Sequence, residues 1–176
     1  LFQCVASHPD TKMKFLQANI PFYLYPLLNT TNKEKPYEYI RVTALGVIGA
    51  LVKTDDADVI TSLLETQVFP HFLRCMEMEN ILSKTVSTFI VNKILQNDEG
   101  LKYCCAMAER FFAVGNVLLK LVENLAVARA PDKRLLKHVI CCYQRLSENP
   151  RACDGLTACF PAKLRENTLV DVIRVS

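Results

Sequence analysis

The sequence predicts an all-α fold, a right-handed solenoid of three-helix repeats. Three observations predict it. Short helix-start signals recur at Ser7, Thr54, Asn97 and Asn149, 43 to 52 residues apart. Each of the first three precedes two shorter helical stretches and one longer one. No segment combines period-two alternation with the turn chemistry of strands. A recurrent three-helix unit of about 40–47 residues is the armadillo/HEAT signature. Such units cannot bury their apolar faces alone, so they stack, with the third helices lining the concave side.

Taken in order, Leu1–Ala6 reads as the tail of a helix. Ser7-His8-Pro9-Asp10 then reads as a start, with Ser7 as N-cap, Pro9 in the first turn and Asp10 at the capping-box position. Helix Asp10–Asn19 follows, and Pro21 opens another that Pro26 shortens or kinks. The polar stretch Asn29–Pro36 is an exposed loop, and Tyr37–Lys53 is the long third helix. Thr54 caps the second unit, with Asp55 and Asp56 in its first turn. Its helices are Asp55–Glu65, Val68–Met78 and Asn80–Asn97. The third unit holds Gly100–Phe112, Val114–Ala126, a loop at Val127–Asp132 and the long helix Lys133–Ser147. Asn149-Pro150 starts a fourth, interrupted at Pro161. The chain begins at Leu1 and stops inside an amphipathic pattern, Thr168–Val175. The expectation is one armadillo-repeat domain over 1–176, a fragment lacking its N-terminal repeats and C-terminal end.

The third helices carry the candidate surface. In Tyr37–Lys53 the large apolar residues cover a broad arc, the pattern of a helix packed on several sides. The remaining stripe runs Tyr39, Thr43, Gly46, Ala50 and loses bulk past Tyr39. A glycine inside a helix costs about 1 kcal/mol against alanine, so Gly46 and Gly49 need a reason. Two stand side by side: neighbouring helices packed close, or a groove floor for a ligand. In the second third-helix, Val86, Phe89, Ile90 and Ile94 supply apolar surface, and Thr85, Thr88 and Asn92 a small polar stripe. In Lys133–Ser147, Arg134, Lys137, Cys141 and Arg145 line up one per turn. Together these stripes make a groove that is small and polar at one end and basic at the other. The basic residues read either as a solvated face or as a weakly specific nucleic-acid surface acting on phosphate. Stacking on bases would want exposed aromatics beside them, and there is no Trp.

Composition narrows the function. Half the residues are hydrophobic, and the net charge of +3 is uneven. Residues 1–100 hold nine Lys and Arg against eleven Asp and Glu, whereas 101–176 hold twelve against seven. The basic half suits a polyanion or acidic-peptide partner. The longest uncharged apolar run, Ala44–Val52, is nine residues, and a membrane span needs about twenty; a soluble protein without a membrane partner is expected. Eight cysteines include no C-x-x-C, and the three histidines lie far from any cysteine pair, so neither zinc nor a disulfide framework is expected. Reduced thiols imply a reducing compartment. Asp55-Asp56-Ala57-Asp58 lacks the glycine and glutamate of a calcium loop. None of His8, His71 and His138 has a motif partner for nucleophilic or acid–base work, and five glycines form no phosphate loop. No catalytic residue, cofactor or metal is expected.

The wording of the sequence goes further than its periods. LFQCVASHP (1–9), YEYIRVTALGVIGALVKTDD (37–56), LSKTVSTFIVNKIL (82–95), RLLKH (134–138) and RLSENPRA (145–152) closely resemble the Rcd/CAF-type armadillo subunit of the CCR–NOT mRNA deadenylase complex. The likeness covers essentially the whole chain. It implies a non-catalytic adaptor that docks on the large NOT scaffold subunit. RNA-binding and silencing proteins would use it to direct deadenylation, decay and translational repression, in the cytoplasm and also the nucleus. The family is also described as able to dimerise and to bind nucleic acid through a basic groove. The resemblance maps a concave peptide groove onto Tyr39, Gly46, Thr85 and Val86. It places tryptophan-accepting pockets for GW-repeat proteins around Ala108, Arg110, Arg151 and Gly155, where an indole could lie beside a guanidinium. Ala108 stands where an aromatic is expected and Gly155 where alanine is. Arg134, Lys137 and Arg145 are the candidate nucleic-acid contacts.

Overall fold

The computed structural model describes residues 1–166, Leu169 and Val172. Most of the Thr168–Val175 pattern lies outside the described residues. Within them are twelve α-helices and no strand. They are α1 (Phe2–Ser7), α2 (Pro9–Gln17), α3 (Ile20–Leu28), α4 (Lys35–Val52), α5 (Ala57–Glu65) and α6 (Phe69–Met76). The rest are α7 (Ile81–Gln96), α8 (Asp98–Cys105), α9 (Ala108–Val127), α10 (Lys133–Ser147), α11 (Pro150–Cys159) and α12 (Ala162–Arg165).

The helices stack in three rows. First helices α2, α5 and α8 pack in succession, as do second helices α3, α6, α9 and α12. Third helices α4, α7 and α10 form the most extensive seam, and α1 extends it on the N-terminal side by packing on α4. This is the three-helix repeat of an armadillo-like solenoid. One core runs through all three rows, from Leu28, Leu45 and Ile48 through Phe69, Phe72 and Ile90 to Leu118, Val139 and Leu146. Phe69 and Phe72 are at most 1% exposed, and full burial of such a side chain contributes about 1.5–3 kcal/mol.

Most boundaries follow from local chemistry. Asn80 Oδ1 accepts from Ser83 N at 2.9 Å, Asp132 Oδ1 from Leu135 N at 2.7 Å, and Asn149 Oδ1 from Ala152 N at 3.3 Å. Each satisfies a backbone donor that a helix start leaves unpaired.

Four expectations need correction. The cap of α2 is His8, whose Nδ1 accepts from Asp10 N at 3.3 Å; Ser7 ends α1 and its hydroxyl donates to Cys4 O. The cap of α5 is Asp56, accepting from Asp58 N at 3.0 Å. Thr54 instead accepts a hydrogen bond from buried Lys12 at 3.0 Å. The break in the third unit falls at Ala106–Met107, not near residue 113, so α9 is the longest helix at 20 residues and outruns α10 at 15. Finally, Thr88 and Asn92 of α7 are buried, whereas Val86 and Phe89 are half-buried. Of the expected polar stripe Thr85 stays at the surface beside Val86 and Phe89, whereas Thr88 and Asn92 face inward.

Candidate functional site

Tyr39, Thr43, Gly46 and Ala50 run along one side of α4. Tyr39 is 69% exposed, and the Thr43 hydroxyl donates to its carbonyl at 2.7 Å. A side chain at Gly46 would bring its Cβ within 2.5 Å of Gln3 Nε2. The space over Gly46 is therefore filled by the end of an exposed, flexible side chain from α1. At Gly49 an added Cβ would lie 3.6 Å from Val86 Cγ1 and 3.8 Å from Phe89 Cε1, ordinary contact distances that an alanine would also meet. Gly46 underlies a movable cover, whereas Gly49 faces α7 across a gap that would admit a methyl group.

On α7, Val86 and Thr85 are half-buried, and the Thr85 hydroxyl donates to Ile81 O at 2.8 Å. The α4–α7 seam thus brings the four groove residues onto two adjacent helices. Beyond them Phe89 meets the His138 ring edge-on at 5.4 Å between centroids, joining α7 to α10. Burial, chiefly, holds the His138 imidazole below its ordinary pKa, so it presents a neutral ring. Sequence reasoning missed Gln3, which carries no pattern of its own.

The tryptophan-pocket candidates fall in two neighbouring hollows. Ala108, Arg151 and Gly155 line one of about 330 Å³ with Phe111 and Phe112. Arg110 lines the other, of about 450 Å³, with Tyr103 and Leu64; Ala106 borders both. At Gly155 a Cβ would stand 2.7 Å from Phe111 Cε1, so glycine lets that ring press against α11. Phe112, half exposed, supplies aromatic surface in a hollow where position 108 is alanine. The Arg110 guanidinium lies 3.5 Å over the Tyr103 ring and also donates to the Tyr103 carbonyl.

The basic stripe divides. Arg134 and Lys137 are exposed on α10. Arg145 Nε donates to Leu95 O at 3.0 Å, and its other nitrogens pair with Asp98 and Glu148. The two carboxylates, Glu148 foremost, raise its pKa above the usual guanidinium value. Its expected place as a free cation of the stripe is therefore corrected: it ties α10 to the start of α8.

Among the described residues no group of three or more His, Cys, Asp or Glu could hold a metal, and no helix is long and apolar enough to cross a membrane. The eight cysteines are unpaired, with Cys75, Cys104 and Cys142 buried. Burial pushes the Cys75 thiol to about 11 and Cys104 to about 12.

A designed armadillo-repeat protein solved with a (KR)4 peptide superposes with a TM-score of 0.69 over 90% of this chain and 61% of its own, at 14% identity. That likeness supports the fold. Protein CAF40 of Saccharomyces cerevisiae is 57% identical over 99% of this chain and 46% of its own length. The cell differentiation protein rcd1 of Schizosaccharomyces pombe is 53% identical over 99% of this chain and 61% of its length. The chain thus spans about half the length of the curated relatives it matches. The profile of the cell differentiation family, Rcd1-like, matches residues 1–176, and the chain belongs to that family.

Proposed function

We propose that the chain is a non-catalytic adaptor of the CCR–NOT deadenylase complex. In this reading it docks on the large NOT scaffold subunit and receives peptide segments of RNA-binding and GW-repeat silencing proteins, acting in the cytoplasm and nucleus. The observation that carries the reading is the α4–α7 seam. An exposed tyrosine, a glycine covered only by a movable glutamine, and a half-buried valine stand together on the third-helix row. Armadillo solenoids use such surfaces to bind extended peptides or helices, and the designed structural neighbour was solved with a peptide. Rcd1-like membership and the armadillo fold both belong to scaffold rather than catalytic types.

The test is affinity purification of the tagged full-length protein from its own cells, with Gly46→Trp and Arg151→Glu alongside. Because Gln3 can swing away, Gly46→Trp should fold normally. The adaptor reading expects the NOT scaffold to co-purify with all three proteins while each variant loses a different set of peptide-bearing factors. Absence of the scaffold from wild type would sink it. Full retention of every factor by a folded Gly46→Trp would sink the groove.

Exposed Arg134 and Lys137 favour a second reading, weak single-stranded nucleic-acid binding. Titration of RNA at two salt concentrations tests it. Affinity that ignores salt, or survives charge reversal at both positions, excludes that surface.

A further inference from the structure

The loop before α4 and the turn between α6 and α7 border an open cavity of about 310 Å³, with Arg41 in its wall. Arg41 is 3% exposed. Nη2 donates to Thr30 O at 2.7 Å and Asn32 O at 3.1 Å. Among the described residues Nε is buried without an acceptor, Nη1 has none among its hydrogen bonds, and no carboxylate lies in ion-pair reach. Charged side chains are seldom buried without an opposite charge, because desolvation of the ion is then uncompensated.

The other charges of the wall say which ligand would supply that compensation. Lys33 pairs with Glu79 at 2.7 Å. Glu77 pairs with Lys120, outside the cavity, at 2.6 Å. Arg74 Nη1 donates to Asn29 Oδ1 at 3.2 Å, and Glu38 accepts only a long 3.5 Å bond from Asn80. With the two ion pairs set aside, Arg41, Arg74 and Glu38 leave one positive charge. A single monoanion balances this wall, whereas a phosphate dianion would over-balance it beside three glutamates. With both Nη2 hydrogens engaged, a carboxylate oxygen can still take one charge-assisted hydrogen bond from Nη1.

We infer that this cavity is a carboxylate-binding site, with Arg41 as its principal donor through Nη1 and Arg74 as the cation at its mouth. The carboxylate comes either from an acidic side chain or from a chain terminus, and the two sources differ in the neutral atoms flanking it. The inference does not depend on the adaptor reading.

The test follows the Arg41 Nε–Hε resonance of the full-length protein by NMR at constant ionic strength. The probes are N-acetylglutamate α-amide, N-acetyl-dialanine, inorganic phosphate and chloride. A saturable shift with either carboxylate, tighter than with phosphate or chloride, is expected; the glutamate probe alone marks a side-chain source and the dialanine probe alone a terminal one. Arg41→Lys should weaken binding about tenfold or more, since a charge-assisted bond is lost. Because Arg41 also pins the loop, Arg74→Gln is the second variant, expected to weaken binding about threefold with an unchanged Tm. No saturation, or chloride matching both carboxylates, would show that the cavity holds water only and overturn the proposal.

Discussion

Gly100→Ala and Gly115→Ala are the same chemical change in neighbouring helices, and the structure gives them opposite signs. Alanine is favoured over glycine inside a helix by about 1 kcal/mol. At Gly115, in α9, nothing lies within 4 Å of the new methyl, so the gain is unopposed and Tm should rise by about 2–4 °C. Gly100 sits in the first turn of α8, where one residue, Asn97, links α7 to α8. Asn97 Oδ1 accepts from both Glu99 N and Gly100 N, and Asn97 N donates to Ile94 O at 3.2 Å. That double cap draws Gly100 down on the Ile94 carbonyl. A Cβ there would overlap the carbonyl oxygen and stand 2.8 Å from its carbon. The obstacle is backbone, so no rotamer change relieves it. Overpacking costs about 1–3 kcal/mol where side chains can adjust; against backbone the upper end applies, and net loss should be at least about 2 kcal/mol. Urea denaturation of both variants reads the difference directly. A Gly100→Ala protein within about 0.5 kcal/mol of wild type would refute the reasoning, as would a destabilised Gly115→Ala.

Other predictions follow from single contacts. The Lys12 ammonium holds the Asp56 carboxyl below its ordinary pKa of 3.8, across a 2.6 Å ion pair that is largely buried on the lysine side. That stability is present above the unfolded pKa and is lost as pH falls through the lowered folded value. Lys12→Met should therefore cost about 2 kcal/mol at pH 7, with the gap to wild type closing in acid denaturation below about pH 4. A pH-independent gap would assign the effect to packing. With a thiol reagent at pH 8, exposed Cys4, Cys153 and Cys159 should react first. Cys75 and Cys104 should react only as fast as the protein opens, since burial raises both thiols well above ordinary values; fast labelling of either would contradict the packing. Gly155→Ala should shift the Phe111 ring, since a Cβ there would stand 2.7 Å from Phe111 Cε1, measurable as changed Phe111 ring-proton resonances by NMR; an unchanged ring would refute the tight contact.

What the sequence made legible was whatever has a local cause. Asn97 and Asn149 announce their helices because an Asn side chain can cap only the backbone donors just ahead of it. Tyr37–Lys53 shows its packing through its wide apolar arc. The α8–α9 break was illegible for the converse reason. Met107 caps α9 with no side-chain hydrogen bond, and Ala106-Met107-Ala108 suits a continuous helix as well as a broken one. That misplacement hid Tyr103, Phe111 and Phe112, the aromatic walls of both hollows. Arg145 was misread because its partners Asp98 and Leu95 are some fifty residues away. Periodicity gives the side of a helix that a residue occupies, but not what another helix brings to meet it. The inward turn of Thr88 and Asn92 belongs to the same class, since it is set by the helices α4, α6, α8 and α10 that pack on α7.

Those inward polar residues bear on how the third-helix seam is held. Ser87 and Thr88 donate to carbonyls of α7 itself, at Ser83 and Lys84, and Asn92 accepts from Gln96 on the same helix. Their hydrogen bonds close within α7 and reach neither α4 nor α10. Where Gly49 faces Val86 and Phe89, an added Cβ would reach their side chains at 3.6–3.9 Å, an ordinary van der Waals distance. The spacing of α4 and α7 at this point is therefore fixed by volume rather than by directional bonding. A methyl group added or removed there resizes the groove continuously, without orphaning a polar atom. Shape at this seam can drift by small apolar steps, each of which leaves the hydrogen bonding of the repeat intact.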